Sequence, residues 1–268
     1  MITSSSNDLL KSIRKLRGRK YRDETSQAYI EGTRIVWEAI EQHAEIEKII
    51  LSQTFENSPK RSKLYELVQK SKIEQIIVSD EAFVSISSKQ GPQGIGAVIR
   101  QNWTKFEDFQ KDFYGLWFCL WEVADPGNLG TILRTMDAVG ARGLILLGNS
   151  TDPYDPGAVR SSMGALFSKI LVKSDLDFVI RWIKENNITT FGTSDAARTY
   201  YRDVDYPDNM VLVMGSEREG IPEKLQEVCT KMVYMPMMGS ADSLNLAVAS
   251  GVILYEILDQ RLRRTRPV

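Results

Sequence analysis

One histidine and two cysteines are the only imidazole and thiol groups among the 268 residues of this chain. His43 alone cannot form a His-rich metal site. Cys119 and Cys229 are too far apart for a metal knuckle and too few for a disulfide framework. The chain is therefore expected to work without a metal. Long apolar runs are missing as well: none approaches the roughly 18 residues that a membrane span requires. A one-sided charge is also absent, with 34 Lys and Arg against 35 Asp and Glu. That balance, with 43% hydrophobic residues, excludes a disordered polyelectrolyte and is ordinary for a folded protein. Met1 to Asp8 is polar and runs into basic residues with no apolar segment behind it, so a cytoplasmic protein is expected.

Neutrality conceals local charge. Lys11, Arg14, Lys15, Arg17, Arg19, Lys20 and Arg22 lie together without an acidic residue, and Arg261, Arg263, Arg264 and Arg266 repeat the pattern near the C-terminus. Such clusters are either solvated helix faces or a phosphate-contacting footprint.

The first hundred residues read as alternating helix and strand. Ser26–His43 and Ser62–Ser71 have helical character, and Lys48–Ser52, Gln75–Ser79 and Ile95–Arg100 are apolar strands. Ser85–Gly96 is rich in Ser, Gly, Gln and Pro and reads as a loop. Gln101–Phe113 shows no clear period and is taken as the linker, giving domains over 1–105 and 106–268. In the second part, apolar runs recur at Leu116–Val123, Gly143–Leu147, Ile170–Val172, Thr189–Thr193, Val211–Met214 and Met232–Met235. Helical stretches at Leu129–Val139, Asp175–Glu185 and Leu244–Leu258 separate several of them. Strands apolar on both faces and alternating with helices indicate a parallel sheet covered on both sides. Ligands of such sheets bind beyond the carboxyl ends of the strands.

Three stretches at such ends carry chemistry. In Asp125-Pro126-Gly127-Asn128-Leu129-Gly130-Thr131-Ile132-Leu133-Arg134 a turn leaves the strand and Asn128 stands where a helix N-cap belongs. Leu129, Ile132, Leu133, Met136 and Val139 then share one face. Arg134 points away from that face, either to meet an anion or to join a surface salt bridge. Val211–Pro222 runs a buried strand into a loop bracketed by Gly215 and Gly220, where backbone can approach a ligand. Its spacing mimics a phosphate loop, but Ile221-Pro222 replaces the Lys-Ser/Thr pair, and Glu217 would repel phosphate. A cofactor with hydroxyl or amino groups fits it better. Met235–Ala247 again opens a strand into a small-residue loop and a helix start, with Asp242 or Ser243 as cap. The helix from Leu244 is apolar enough to be buried on most sides, so Asn245 in it needs hydrogen-bond partners.

Together these three stretches resemble the three motifs of the SpoU (TrmH) family of RNA ribose 2′-O-methyltransferases, in the SPOUT superfamily. The resemblance covers residues 116–259 and includes Asp155–Phe167; Glu31-Gly32, Glu38-Ala39 and Gln93–Val98 are similar, more weakly, to the family's N-terminal substrate-binding domain. It implies an α/β domain with a parallel sheet and a C-terminal trefoil knot, preceded by a small α/β RNA-binding domain. It also implies S-adenosylmethionine held in the knot by the loops after 189–193, 211–214 and 232–235, through Thr193, Gly215, Met235 and Leu244. Asn128, Arg134, Glu217, Ser243 and Asn245 match the family's active-site positions. A homodimer is implied, with Arg134 completing a neighbour's site. Arg218, Ala247 and Met235 depart from residues frequent in the family, which affects the shape of the cofactor pocket and no residue assigned to chemistry.

The expected reaction is transfer of a sulfonium methyl group to a ribose 2′-hydroxyl, which needs no metal and gains much from positioning. The family proposal makes the arginine the base. A guanidinium with a pKa above about 12 suits phosphate binding and oxyanion stabilisation better. The N-terminal domain points to large-subunit ribosomal RNA as substrate. A tRNA ribose methyltransferase, a base-methylating SPOUT enzyme and a non-catalytic RNA-binding protein of the same fold are the alternatives.

Overall fold

The computed structural model describes residues 1–68, 73–111 and 113–265. They pack as two units, one within residues 1–102 with 152–168 and one within 103–151 with 169–265. A single division at 105/106 does not provide for the return of 152–168 to the first unit. An ion pair explains that return. Arg22, only 1% exposed, donates from Nε to Asp152 Oδ2 at 2.7 Å and stands 3.5 Å from Asp155 Oδ2. Removing either partner would strand a buried charge, at a cost of about 3–5 kcal/mol.

The first unit opens with α1 (Asp8–Lys15), α2 (Arg19–Thr25), β1 (Gln27–Glu31), α3 (Thr33–Glu41) and β2 (Ile46–Ser52). It continues with α4 (Gln53–Glu56), α5 (Lys60–Val68), β3 (Glu74–Val78), α6 (Asp80–Ile86) and β4 (Ile95–Arg100). The strands form a sheet of order β1-β4-β2-β3, in which only β2 and β3 run parallel. Leu10, Ile13, Ile50, Val78, Phe83 and Ile86 pack as one cluster against it. Two expectations are corrected. The helix read over Ser26–His43 is a strand and a helix, broken where Gly32 takes φ 112°. The loop read from Ser85 begins two residues later, because Ser79 caps α6 by accepting from the Ala82 N–H and the helix runs to Ile86. Of the helix expected to end at Ser71, residues 69–71 lie outside the described residues, as does Arg266.

The second unit contains α7 (Phe106–Lys111), β5 (Leu116–Trp121), α8 (Pro126–Ala138) and β6 (Gly143–Leu147). The segment α9 (Pro156–Ser162), with a short 3₁₀ turn at Ala165–Ser168, belongs to the first unit. The second resumes with β7 (Ile170–Ser174), α10 (Leu176–Glu185), β8 (Thr190–Thr193), β9 (Thr199–Tyr200) and β10 (Met210–Met214). It ends with α11 (Glu223–Gln226), β11 (Lys231–Tyr234) and α12 (Leu246–Thr265). The stretch read as an irregular linker holds α7, whose Phe106 and Phe109 pack on Trp182; Phe109 also lies 4.3 Å from the Trp117 ring.

All seven strands are parallel, in the order β7-β6-β5-β10-β8-β11-β9. β5, β6 and β7 advance in one direction, then the chain crosses to the other side of β5. That reversal opens a crevice beyond the strand ends, where open α/β sheets bind ligands. The expected parallel α/β sheet is present. α12 differs from its expectation. Leu246, Ala249, Ile253, Leu254 and Ile257 are buried, whereas Val248, Val252, Tyr255 and Leu262 are exposed along one face. No helix among the described residues is long and apolar enough to cross a membrane.

Candidate active site

The loops after β8, β10 and β11 enclose an open cleft of about 810 Å³. Thr193 ends β8 and lines it, with Ser194 and Asp195 following. Gly215 and Glu217 contribute from the loop after β10, and Met235, Ser243 and Leu244 from the segment after β11. The four residues expected around a cofactor, Thr193, Gly215, Met235 and Leu244, therefore share one cavity.

Gly215 follows from the packing of its own loop. A Cβ there would fall 1.9 Å from the Gly220 carbonyl carbon and 2.3 Å from the Ile221 nitrogen. The loop closes on itself as Gly220 N–H donates to the Ser216 carbonyl and Glu219 N–H to Ser216 Oγ. Gly220 sits at φ 68°, which glycine adopts without strain. The result is a rigid turn with bare backbone beside the cleft.

Above this turn, three polar side chains from distant parts of the sequence form a chain. Asn245 Nδ2 donates to Asn128 Oδ1 at 3.0 Å, and Asn128 Nδ2 donates to Glu217 Oε1 at 2.7 Å. The helix caps differ from those expected and explain the arrangement. Asp125, not Asn128, caps α8 by accepting from the Asn128 N–H. Asn128 thus sits in the first turn with its side chain free to reach across. Asn245, not Asp242 or Ser243, caps α12, since its Oδ1 accepts from the N–H groups of Ala247 and Val248. Asn245 is exposed rather than buried, and both ends of its amide are bonded.

Four of the five expected active-site residues meet here: Asn128, Glu217 and Asn245 in the hydrogen-bonded chain, and Ser243 on the cleft wall. Arg134 is not among the cleft residues. It is exposed on α8 opposite the buried Leu129, Ile132, Leu133 and Met136. It makes no ion pair among the described residues, so the salt-bridge reading does not hold. The cleft lining carries Asp195, Glu217 and Asp242 and no Lys or Arg. Asp195 has no role in the sequence reading, although it follows directly from the rule of looking beyond strand ends. Asp242 enters that reading only as a helix cap.

The cleft suits a cationic, hydroxyl-bearing ligand with a flat apolar part. Acidic side chains face a positive charge or hydroxyls, loop backbone around Gly215 is exposed to polar edges, and Met235, Leu244 and Leu246 supply apolar walls. S-adenosylmethionine, with its sulfonium, ammonium, ribose and adenine groups, matches that donor set. Among the described residues no cluster of His, Cys, Asp or Glu could hold a metal ion.

Comparison with known proteins agrees with this geometry. The model of the SpoU rRNA Methylase family matches residues 115–255, and that of the MRM3-like substrate binding domain matches residues 7–97. The chain is 28% identical over 256 residues to the 23S rRNA (guanosine(2553)-2′-O)-methyltransferase RlmP of Bacillus subtilis, covering 96% of this chain and 98% of that one. It is 34% identical to the 23S rRNA (uridine(2479)-2′-O)-methyltransferase of Streptomyces viridochromogenes over 74% of this chain and 71% of the other. An AdoMet-bound rRNA methyltransferase from Sinorhizobium meliloti superposes with a TM-score of 0.87 at 31% identity, over 99% and 98% of the two chains.

Proposed function

The chain belongs to the SpoU rRNA methylase family, and we propose that it transfers the methyl group of S-adenosylmethionine to a ribose 2′-hydroxyl of large-subunit ribosomal RNA. The observation that carries this reading is the Asn245–Asn128–Glu217 chain, which reaches the loop cleft through Glu217. On this reading its amide and carboxylate groups orient the ribose toward the cofactor.

When bound in the cleft, S-adenosylmethionine supplies an activated methyl group on a sulfonium. The residues of the chain do the rest. Backbone at Gly215, with Thr193, Met235 and Leu244, holds the cofactor in place. Asn128 and Asn245 fix Glu217, whose second carboxylate oxygen and the Ser243 hydroxyl orient the ribose. Positioning of this kind is worth several kcal/mol when two reactants must align.

The cleft has no cation of its own, yet a ribose brings a phosphate with it. We assign that charge to Arg134 of a second copy. The exposed stripe of Val248, Val252, Tyr255 and Leu262 lies on α12, which packs against α8, the helix that carries Arg134. Apolar surface of that kind supports a homodimer through this face. Arg134 then binds the phosphate and stabilises the developing oxyanion. The segment from β11 into α12 is taken as the part threaded into a trefoil knot, one of the rare exceptions to unthreaded chains. The first unit is the RNA-holding domain, and the protein works in the cytoplasm without a metal.

Methyl-labelled cofactor, incubated with purified protein and either large-subunit ribosomal RNA or tRNA, tests the substrate. Label in the ribosomal RNA is expected; label only in tRNA would favour the tRNA reading.

A further inference from the structure

Six of the seven basic residues between Lys11 and Arg22 fall into two sets in the structure, and the seventh, Lys15, stands over the Tyr21 ring at 5.5 Å from its centre. Lys11 pairs with Asp8, Arg19 with Asp23 and Lys20 with Glu24, each along its own helix, and Arg22 is buried between Asp152 and Asp155. Their charges are answered locally. Arg14 and Arg17 bond only to neutral groups. Arg14 donates to Ser85 Oγ and to the Ser5 carbonyl, and Arg17 donates to the Ser87 carbonyl at 2.7 Å. Arg17 also reaches the Ser85 carbonyl, so both guanidinium groups gather on the end of α6.

Two further cations join them. Lys89 donates to the Glu31 carbonyl, and Arg160 is exposed on α9 without an ion pair among the described residues. Arg17, Lys89 and Arg160 line one small pocket of the first unit. The acid beside it, Glu31, is buried and already accepts from the Ser87 hydroxyl and the Ser88 N–H. The patch is therefore four cations, of which Arg14, Arg17 and Lys89 are held by carbonyl and hydroxyl groups, and none is paired to a carboxylate among the described residues. The geometry of those three is fixed before a ligand arrives, which lowers the entropy lost on binding.

We propose that Arg14, Arg17, Lys89 and Arg160 form the surface on which the first unit grips the phosphates of the substrate RNA, whereas Lys11, Arg19, Lys20 and Arg22 take no part. This rests on the reading of the protein as an RNA methyltransferase and adds to it the face that holds the polyanion. Arg261, Arg263 and Arg264 near the C-terminus are excluded on the same ground, because Arg261 and Arg264 pair with Asp208 and Arg263 with Asp259.

The test is the dependence of affinity on salt, measured with the full-length protein and transcribed large-subunit ribosomal RNA. Each lost phosphate contact lowers the slope of log K against log salt by about 0.7–0.9. Replacing Arg14, Arg17 and Lys89 together with Gln should lower it by about 2–3. Replacing Lys11, Arg19 and Lys20 with Gln should leave it unchanged, and Arg14→Lys with Arg17→Lys should keep it near wild type. Cofactor affinity by calorimetry should be the same in all three. A patch variant with an unchanged slope, or a control variant with an equal loss, overturns the proposal while methyl transfer by the wild type upholds the enzyme reading. Wild-type protein that neither binds nor methylates the RNA overturns both.

Discussion

Asn245 and Asn128 are joined by one hydrogen bond, 3.0 Å from Nδ2 to Oδ1, across 117 positions of the sequence. The same Asn245 side chain caps α12 through its oxygen, so one amide secures a helix start and orients a second amide. The two duties separate by substitution. Asn245→Asp keeps the capping oxygen and adds a negative charge at a helix N-terminus, which is favourable. It cannot donate to Asn128, and it brings a second carboxylate toward Glu217. Its melting temperature should stay near wild type while the rate of methyl transfer falls about tenfold or more, the equivalent of about 1.4 kcal/mol. Asn245→Ala should lose both, with about 1 kcal/mol of stability from the cap. Thermal unfolding and turnover measured side by side check the pair; full activity in Asn245→Asp would remove the orienting role.

Much of this site was legible in the sequence, and the misses have physical causes. Gly143–Leu147 and Ile95–Arg100 have the bounds read from their residues because unbroken β-branched and aliphatic runs admit one interpretation. The strand Gln27–Glu31 was absorbed into a helix because Tyr29, Ile30 and the residues after Gly32 supply apolar positions that also suit a helical period. Its marker was Gly32 itself. α7 was hidden in a polar stretch whose only helical sign is Phe106 and Phe109, one turn apart. The caps lie two or three residues from the expected ones because Asp125, Asn128, Asp242, Ser243 and Asn245 are all competent capping residues; only the fold decides which one meets the helix. The return of 152–168 to the first unit depends on the pairing of Arg22 with Asp152, 130 positions away, and local pattern does not encode it.

Arg134 is predicted to act in the site of a partner subunit. Arg134→Ala should alter stability by less than about 0.5 kcal/mol, since the side chain is exposed and unpaired, and should lower transfer about 100-fold or more. Gly215→Ala should abolish cofactor binding, because its Cβ meets the Gly220 backbone. Mixing the two inactive proteins under exchange conditions should restore about a quarter of wild-type activity, as half the dimers are mixed and each has one intact site. No recovery in a mixture shown to exchange would place Arg134 in its own chain's site.

The face formed by Val248, Val252, Tyr255 and Leu262 should be the dimer contact. Val252→Lys with Tyr255→Lys should give a monomer of 30.4 kDa by light scattering with unaltered helical content, where the wild type gives twice that mass. A doubly substituted protein that remains dimeric would move the interface elsewhere.

Alkaline pH should destabilise the fold through its thiols. Burial raises the Cys119 thiol far above its ordinary range and raises Cys229 to about 12. The folded state therefore keeps these protons after the unfolded chain, with a pKa of about 8.5, has lost them. Stability from this source is complete below that value and declines as pH rises toward 12. The urea midpoint should fall between pH 8 and pH 10.5, and neither thiol should react with iodoacetamide at pH 8 in the native state. Rapid alkylation of both without denaturant would contradict the burial argument.

The most direct test of the central claim is the position of the transferred methyl group. Large-subunit ribosomal RNA lacking the modification, incubated with the protein and methyl-labelled S-adenosylmethionine, should be digested to nucleosides and separated. All label is expected in one 2′-O-methylated nucleoside, and the Asn128→Ala protein should leave that fraction nearly empty. Label in a base-methylated nucleoside, or none in the RNA while the cofactor still binds, would contradict ribose methylation by this site.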